Sequence, residues 1–355
     1  MGTLLWDPAA PLPAVDDTPY LDVVTHVLVH RAVAGEYQFL HGPAICLHRG
    51  TLFCSWANSP VNENSEDEVL RGRRSADGGF TWSPVEVIAP DLPGIERHSH
   101  GAFLVHGDRL WAFAARYGLG DVPPFPGLVM ETYVLNEAAS TWDCQGVAAT
   151  DFWPLEEPRR LSDGRWVMGG VNSRSYPVVA LSRGDDLAHW DTVAIPTDPL
   201  VPLMYAEATV IADGTQLTAI IRNLSEPLAL VAESLDAGRT WGRAAPSNLP
   251  MVPAKPYAGR LSTGQRYLIF NPPAEEHKRH TLTIAVSRPG ERLLSRIWRI
   301  RHGPPPQPRF TGRAKGRQWA YPYACEHAGK LYIVYSVSKE NCELSIVPLA
   351  ALAAE

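Results

Sequence analysis

The sequence predicts an all-β chain, a six-bladed β-propeller of four-stranded antiparallel blades closed by an N-terminal strand that joins the last blade. Three observations predict it. The 355 residues include 28 glycines and 32 prolines, too many for a helix-rich protein because each breaks a helix interior. A hairpin pattern of apolar run, Gly turn and apolar run recurs six times. A second pattern, a polar turn ending in Trp, follows that hairpin in some of the units.

The hairpins come in chain order. Ala44 to Phe53 turns at Gly50, Phe103 to Trp111 at Gly107, and Arg160 to Val167 at Gly164. Thr209 to Leu217 carries an Asp213-Gly214 turn, and the last two units centre on Gly264 and Gly329. Glycine lets such tight turns take positive φ. The gaps between turn glycines are 57, 57, 50, 50 and 65 residues, room for about four strands each. The predicted blades span roughly 38–92, 97–151, 152–198, 203–248, 252–303 and 318–348, after an extension over 1–20, and the propeller forms one domain. The last unit has room for three strands after Trp319, so the run 22–30, rich in Val, is expected to supply its fourth. That arrangement ties the termini together and leaves no open sheet edge at the seam.

Composition narrows the function. Hydrophobic residues make up 45% and charged ones 20%, as in a globular chain. A net charge of −6 argues against nucleic acid or an anionic membrane as partner. The start, Met1 to Pro8, lacks a basic segment and a long apolar core, and Trp6 makes Met1-Gly2 a poor myristoylation signal. A cytoplasmic protein is therefore expected. Cys46, Cys54, Cys144, Cys325 and Cys342 are odd in number with no C-x-x-C pair, so reduced thiols are expected and no metal site. Nothing in the sequence implies a cofactor.

The propeller mouth, where the first strands of all blades converge, is the default ligand site. Counting back nine or seven residues from each turn glycine gives His41, His98 and His100, then Tyr205 and Glu207, then Lys255 and Tyr257. The same interval holds Glu156 and Glu157 in the third blade, and the sixth offers Tyr321 and Tyr323. Strand alternation prevents all of them from facing inward. An apolar core would place Val or Ile there, so the ring reads as a site.

The second pattern is more specific. Ser75 to Trp82 and Ser234 to Trp241 both read S-x-D-x-G-x-T-W, with a looser copy from Ser182 to Trp190. Degenerate counterparts lie at Asn136 to Trp142 and Ser287 to Gly290. Asp accepts backbone N–H bonds inside such a turn, Gly takes the left-handed position and Trp covers it. This motif is identified as the Asp-box, or BNR repeat, of sialidase-type propellers. The motif marks blades and carries no chemistry of its own.

The resemblance implies an exo-acting glycosidase with a Tyr nucleophile paired to a Glu, three Arg residues for the sugar carboxylate, and an acidic acid/base residue. Tyr321 resembles the nucleophile, with Tyr323 the alternative in register. Glu207 and Arg222, on either side of the Asp213-Gly214 turn, resemble the Glu and the second Arg. Arg279, eight residues before Ser287, resembles the third. Where sialidases have Arg-Ile-Pro, this chain has His41-Gly42-Pro43, and imidazole lacks the two-pronged fork of Arg. The loop from Asn58 to Glu68 offers Glu63, Glu66 and Asp67 as acid/base, with Glu63 favoured by its distance ahead of Ser75. An acidic or deoxy sugar is the implied substrate, in an oligosaccharide or glycan.

Two other readings stay open. Some related propellers act on rhamnose–glucuronate or other uronate linkages, as glycosidases or polysaccharide lyases. His98, His100 and His41 fit a proton-abstracting base there, and Arg260 a carboxylate ligand. A non-catalytic glycan binder would use Trp56, Trp153, Tyr205, Tyr257 and Trp319 as exposed stacking platforms.

Overall fold

Six antiparallel sheets follow one another around a ring in the computed structural model, which describes residues 4–201, 203–273 and 278–353. Met1-Gly2 lies outside the described residues. The first blade comprises β2 (Phe39–His48), β3 (Thr51–Ser59), β4 (Val69–Ser75) and β5 (Glu86–Ala89). The second comprises β6 (Glu96–His106), β7 (Arg109–Gly118), β8 (Val129–Asn136) and β9 (Thr141–Thr150). In the third, β10 (Trp153–Pro154) and β11 (Arg159–Arg160) both pair with β12 (Trp166–Val171), followed by β13 (Pro177–Arg183) and β14 (Asp186–Ala194). The fourth holds β15 (Ala208–Asp213), β16 (Gln216–Ile221), β17 (Leu228–Ser234) and β18 (Ala245–Pro250). The fifth holds β19 (Tyr257–Arg260), β20 (Arg266–Phe270), β21 (Leu282–Ser287) and β22 (Leu294–Arg301). The sixth joins β23 (Trp319–His327), β24 (Lys330–Val337) and β25 (Asn341–Pro348) to β1 (Thr25–His30).

The predicted closure is therefore present, with β1 antiparallel to β25 as the outermost strand of the last blade. The innermost strands touch in cyclic order, β2 to β6, β6 to β10, β12 to β15, β15 to β19, β19 to β23 and β23 back to β2. The turn glycines sit where expected; Gly214, at φ +65°, takes a conformation that a side chain would strain.

The Asp-boxes fold as their spacing predicts. Asp77 accepts the N–H groups of Phe80 and Thr81 at 3.0 and 2.9 Å. Ser75 Oγ takes the Gly79 N–H at 2.9 Å, and the Trp82 indole donates to the Gly79 carbonyl at 3.0 Å. In the second box Asp236 accepts the Thr240 N–H, Ser234 Oγ takes the Gly238 N–H and the Trp241 indole donates to the Gly238 carbonyl. Each box thus pins the turn between the third and fourth strands, away from the mouth.

The third blade departs from the pattern. Its inner strand is broken between Pro154 and Arg159, where Pro158 supplies no N–H. The Glu156 carboxylate replaces the lost ladder, accepting the N–H groups of Gly169 at 2.7 Å and Val210 at 2.9 Å and the Thr209 hydroxyl at 2.6 Å. Glu156 is a buried girder between blades three and four, and no side chain facing the mouth.

Bulges near the starts of three inner strands aim side chains at the mouth. The register slips between His41 and Ala44, between Ser99 and Gly101, and between Ala320 and Tyr323. At the centre of two of them, Gly42 and Tyr321 have φ of +55° and +59°. A Cβ on Gly42 would lie 2.1 Å from Cγ of His100, so only glycine lets the His100 ring pack there. A tyrosine at positive φ is strained, and such conformations cluster at functional sites.

Candidate active site

Tyr321, at the bulge in β23, donates its phenolic hydrogen to Oε1 of Glu207, which stands just before β15. The other carboxylate oxygen, Oε2, accepts from Arg222 Nη1 at 2.8 Å, and that nitrogen also lies 3.4 Å from Tyr321 Oη. Arg222 follows directly on β16, and its N–H bonds the Glu207 carbonyl at 3.0 Å, so the hairpin itself sets the pair. The Arg279 guanidinium lies 5.9 Å from the Tyr321 ring centre. Its Nη1 and Nη2 are fixed on Gln318 Oε1 at 3.1 Å and the Pro253 carbonyl at 2.7 Å.

Two adjoining hollows share Tyr321, Tyr205 and Glu63. One is lined by Arg222, Arg279, Gln318 and Lys339. The other, narrower, is walled by Phe39, Phe125, Trp153 and Leu155, with His41, His100 and Glu68 on its surface. Lys339 sits in the hairpin between β24 and β25, and its Nζ donates to Glu63 Oε1 at 2.6 Å. Glu63 also lies 3.4 Å from His41 Nε2. With both imidazoles neutral, Arg222, Arg279 and Lys339 outnumber Glu207 and Glu63 by one positive charge. Such a hollow attracts an anion.

The loop carrying Glu63 is anchored from below. Glu68 Oε2 accepts the Asn64 N–H at 2.9 Å, Tyr117 donates to Asn64 Oδ1 at 2.9 Å, and Arg97 donates to the Asn64 carbonyl. Glu66 and Asp67 are exposed and line neither hollow.

Burial dominates the site's ionisation. It drives His41 well below the usual imidazole range, with Lys339 adding to the effect. It lowers His100 to about 3, with help from Lys255 and Lys339. Burial raises Glu68 to about 7 against opposing bonds from Ser99 and Asn64. Burial, then the Glu207 charge, holds the Tyr321 phenol well above its ordinary value. Arg222 loses solvation too, but Glu207 and Tyr321 outweigh that loss and strengthen its hold on its proton.

The ring counted from the turn glycines divides in two. Tyr321, Glu207, Arg222, Arg279, Glu63, His41, His100 and Tyr205 meet at the mouth. His98 lies apart: its Nδ1 meets the carbonyl of Pro90, at the end of the first blade, at 2.6 Å, and its Nε2 meets the Glu131 carboxylate of the second at 2.8 Å. Arg260 pairs with Asp213 at the turn end of blades four and five. Tyr323 and Tyr257 pack ring against ring at 4.6 Å, tilted by 34°, inside the channel, with Tyr257 Oη donating to the Ala324 carbonyl at 3.0 Å. Lys255 is buried behind Tyr321 and lines neither hollow. Glu157 is half-buried and lines a separate hollow with Arg159, Arg160 and Arg260.

Trp56, Trp153, Tyr257 and Trp319 are buried, not exposed as stacking platforms. His30 stacks on Trp56 at 4.9 Å. Lys339 and Glu68 were not foreseen. Counting along first strands skips them, because Lys339 lies in an outer hairpin and Glu68 at the foot of a loop.

A family model described as a BNR repeat-like domain matches residues 50–333. No curated protein sequence matches the chain. Among solved structures, a Hadza microbial sialidase superposes with a TM-score of 0.72 at 17% identity, covering 92% of this chain and 69% of that one. The leech intramolecular trans-sialidase gives 0.71 at 12% identity, over 93% and 71% of the two chains. A protein of unknown function from Dyadobacter fermentans gives 0.70 at 15% identity, over 92% of this chain and all of its own 100%. These identities speak for a shared fold.

Proposed function

We propose that this chain, which belongs to the BNR repeat-like domain family, is an exo-acting glycosidase of sialidase type that removes a terminal acidic sugar. The observation that carries the proposal is the Tyr321 phenol donating to a Glu207 carboxylate held by Arg222 at the propeller mouth. A phenol with an ordinary pKa of about 10 is a weak nucleophile at neutral pH, and a carboxylate already bonded to its proton is the base it needs.

The sugar carboxylate enters the cationic hollow, where Arg222, Arg279 and Lys339 each contribute about 1.5–3 kcal/mol through charge-assisted bonds. Lys339 takes the place that the missing first Arg leaves. Its arrival at the substrate competes with its contact to Glu63, freeing Glu63 to carry a proton. Tyr321 Oη then attacks the anomeric carbon while Glu207 takes the phenolic proton and Glu63 protonates the departing glycosidic oxygen. Water, deprotonated by Glu63, breaks the resulting Tyr321–sugar bond, and Glu207 returns the proton to the phenol.

The test is turnover of aryl glycosides of sialic, other nonulosonic and uronic acids, and of oligosaccharides with uronic acids substituted at O4, by wild type, Tyr321→Phe and Glu207→Gln. Release of free sugar by wild type alone supports the proposal. An unsaturated uronic product with new ultraviolet absorbance points instead to a lyase using neutral His41, whose ring lies 3.8 Å from that of Tyr321. Sugar binding with no turnover of any glycoside defeats the enzymatic reading in favour of a glycan binder.

A further inference from the structure

Lys255 plays no part in the reaction above, yet it is an ammonium group buried to 4% exposure where the channel core would favour an apolar side chain. Its Nζ donates to the Pro322 carbonyl at 3.2 Å. It lies 5.3 and 5.9 Å from the ring centres of Tyr257 and Tyr323. Pro322 immediately follows Tyr321, whose φ of +59° needs its surroundings to hold it. We infer that Lys255 is a positioning residue for the Tyr321–Glu207 pair: its ammonium holds the Pro322 carbonyl, one peptide beyond the bond that joins Pro322 to Tyr321, and its charge acts on Glu207 from inside the channel.

The inference rests on the glycosidase reading for its catalytic meaning. Its physical content is a fixed backbone and a charge coupling. Two rings pack against the ammonium, Tyr257 on β19 and Tyr323 on β23, and three ionisable groups lie within its electrostatic reach: Glu207 before β15, Glu156 between β10 and β11, and His100 on β6. Burial lowers Lys255 to about 8, and Glu207 and Glu156 keep it from falling further. The charge is therefore present below about pH 8 and lost as pH rises through that value. Activity that depends on it falls over the same interval.

Coupling between two ionisable groups is reciprocal, so Lys255 reports on Glu207 without any substrate. The chain contains five lysines, and 13Cε-lysine labelling of the whole protein gives a small set of resonances to titrate. Loss of one resonance in Lys255→Met, or in Lys255→Arg where Lys255→Met does not fold, assigns Lys255. The expected midpoint is near 8 in wild type, and about one unit lower in Glu207→Gln, where a favourable charge is gone. With a turned-over substrate, Lys255→Met lowers kcat about tenfold with KM within about twofold, the pattern of a lost transition-state contribution. Lys255→Arg, which keeps its charge at all working pH values, restores kcat and moves the alkaline limb upward. A midpoint that Glu207→Gln leaves unmoved, or a Lys255→Met enzyme with the wild-type kcat and alkaline limb, overturns the inference. If wild type turns nothing over but the midpoint moves, the glycosidase reading fails and the coupling stands. If Lys255→Met does not fold, the titration in Glu207→Gln still decides, because Lys255 is intact there.

Discussion

Glu207→Gln preserves the outline of the side chain and removes the negative charge against which Arg222 is set. Both residues are buried, at 4% and 8% exposure, and the contact is 2.8 Å. The Nε of Arg222 already lacks a partner among the described residues. In the variant, Arg222, Arg279 and Lys339 face only Glu63, so three cations share one counter-charge. Removing one partner of a buried pair costs about 3–5 kcal/mol. The glutamine amide oxygen still accepts one hydrogen bond, and the mouth is open to water, so about 2–3 kcal/mol is expected. Urea unfolding at pH 7, read by Trp fluorescence, measures it as a lower midpoint with an unchanged slope. The same substitution removes the base, and kcat should fall by roughly 10²–10⁴. A variant within about 0.5 kcal/mol of wild type and within tenfold in kcat would refute the reasoning, because no buried, catalytically coupled pair could leave both unchanged.

Lys339→Gln should raise KM for a carboxylate-bearing sugar by roughly ten- to a hundredfold. The effect should vanish for the corresponding sugar amide, which initial-rate kinetics on the two substrates would show. Gly42→Ala places a methyl group 2.1 Å from Cγ of His100 at a φ of +55°, and should destabilise by about 2–4 kcal/mol. Adding His100→Ala should recover part of that loss in urea unfolding, a non-additivity expected only if the two side chains collide. Glu68 titrates at about 7 in the folded protein against about 4.3 unfolded, so the native state binds its proton more tightly. Its contribution is complete below the unfolded value and lost as pH rises through the folded one. Glu68→Gln should therefore gain roughly 3–4 kcal/mol on wild type between pH 4 and pH 8, and a constant difference across that range would contradict the assignment.

The architecture was legible because each blade states its own punctuation. Turn glycines such as Gly214, and the paired boxes ending in Trp82 and Trp241, act through local backbone geometry, which a sequence displays directly. The closing strand followed from counting the strands available after Trp319. The pairing of Tyr321 with Glu207 was legible through the resemblance, while Tyr323 and Tyr257, in the same ring of positions, point into the channel core. Their separation depends on bulges at His41, Ser99 and Ala320, and a bulge is set by contacts between strands. Glu156 failed as a site residue because its carboxylate replaces a strand ladder. His98 failed because the second blade uses it to join Pro90 and Glu131. Lys339 was hidden because its hairpin reaches the mouth from an outer position, through the Leu40 N–H bond to its own carbonyl at 2.9 Å.

The central claim is that Tyr321 forms a bond to the sugar with Glu207 as its base. A glycosyl fluoride of an acidic sugar with a second fluorine beside the anomeric carbon slows breakdown of such a bond, because fluorine disfavours the positively charged transition state. Intact-mass and peptide analysis after mixing with wild type should show one sugar added to the peptide containing Tyr321. Tyr321→Phe should show none, and Glu207→Gln should label far more slowly. Fluoride release by wild type with no sugar on Tyr321, or with the sugar on Glu63 or His41, would contradict the account.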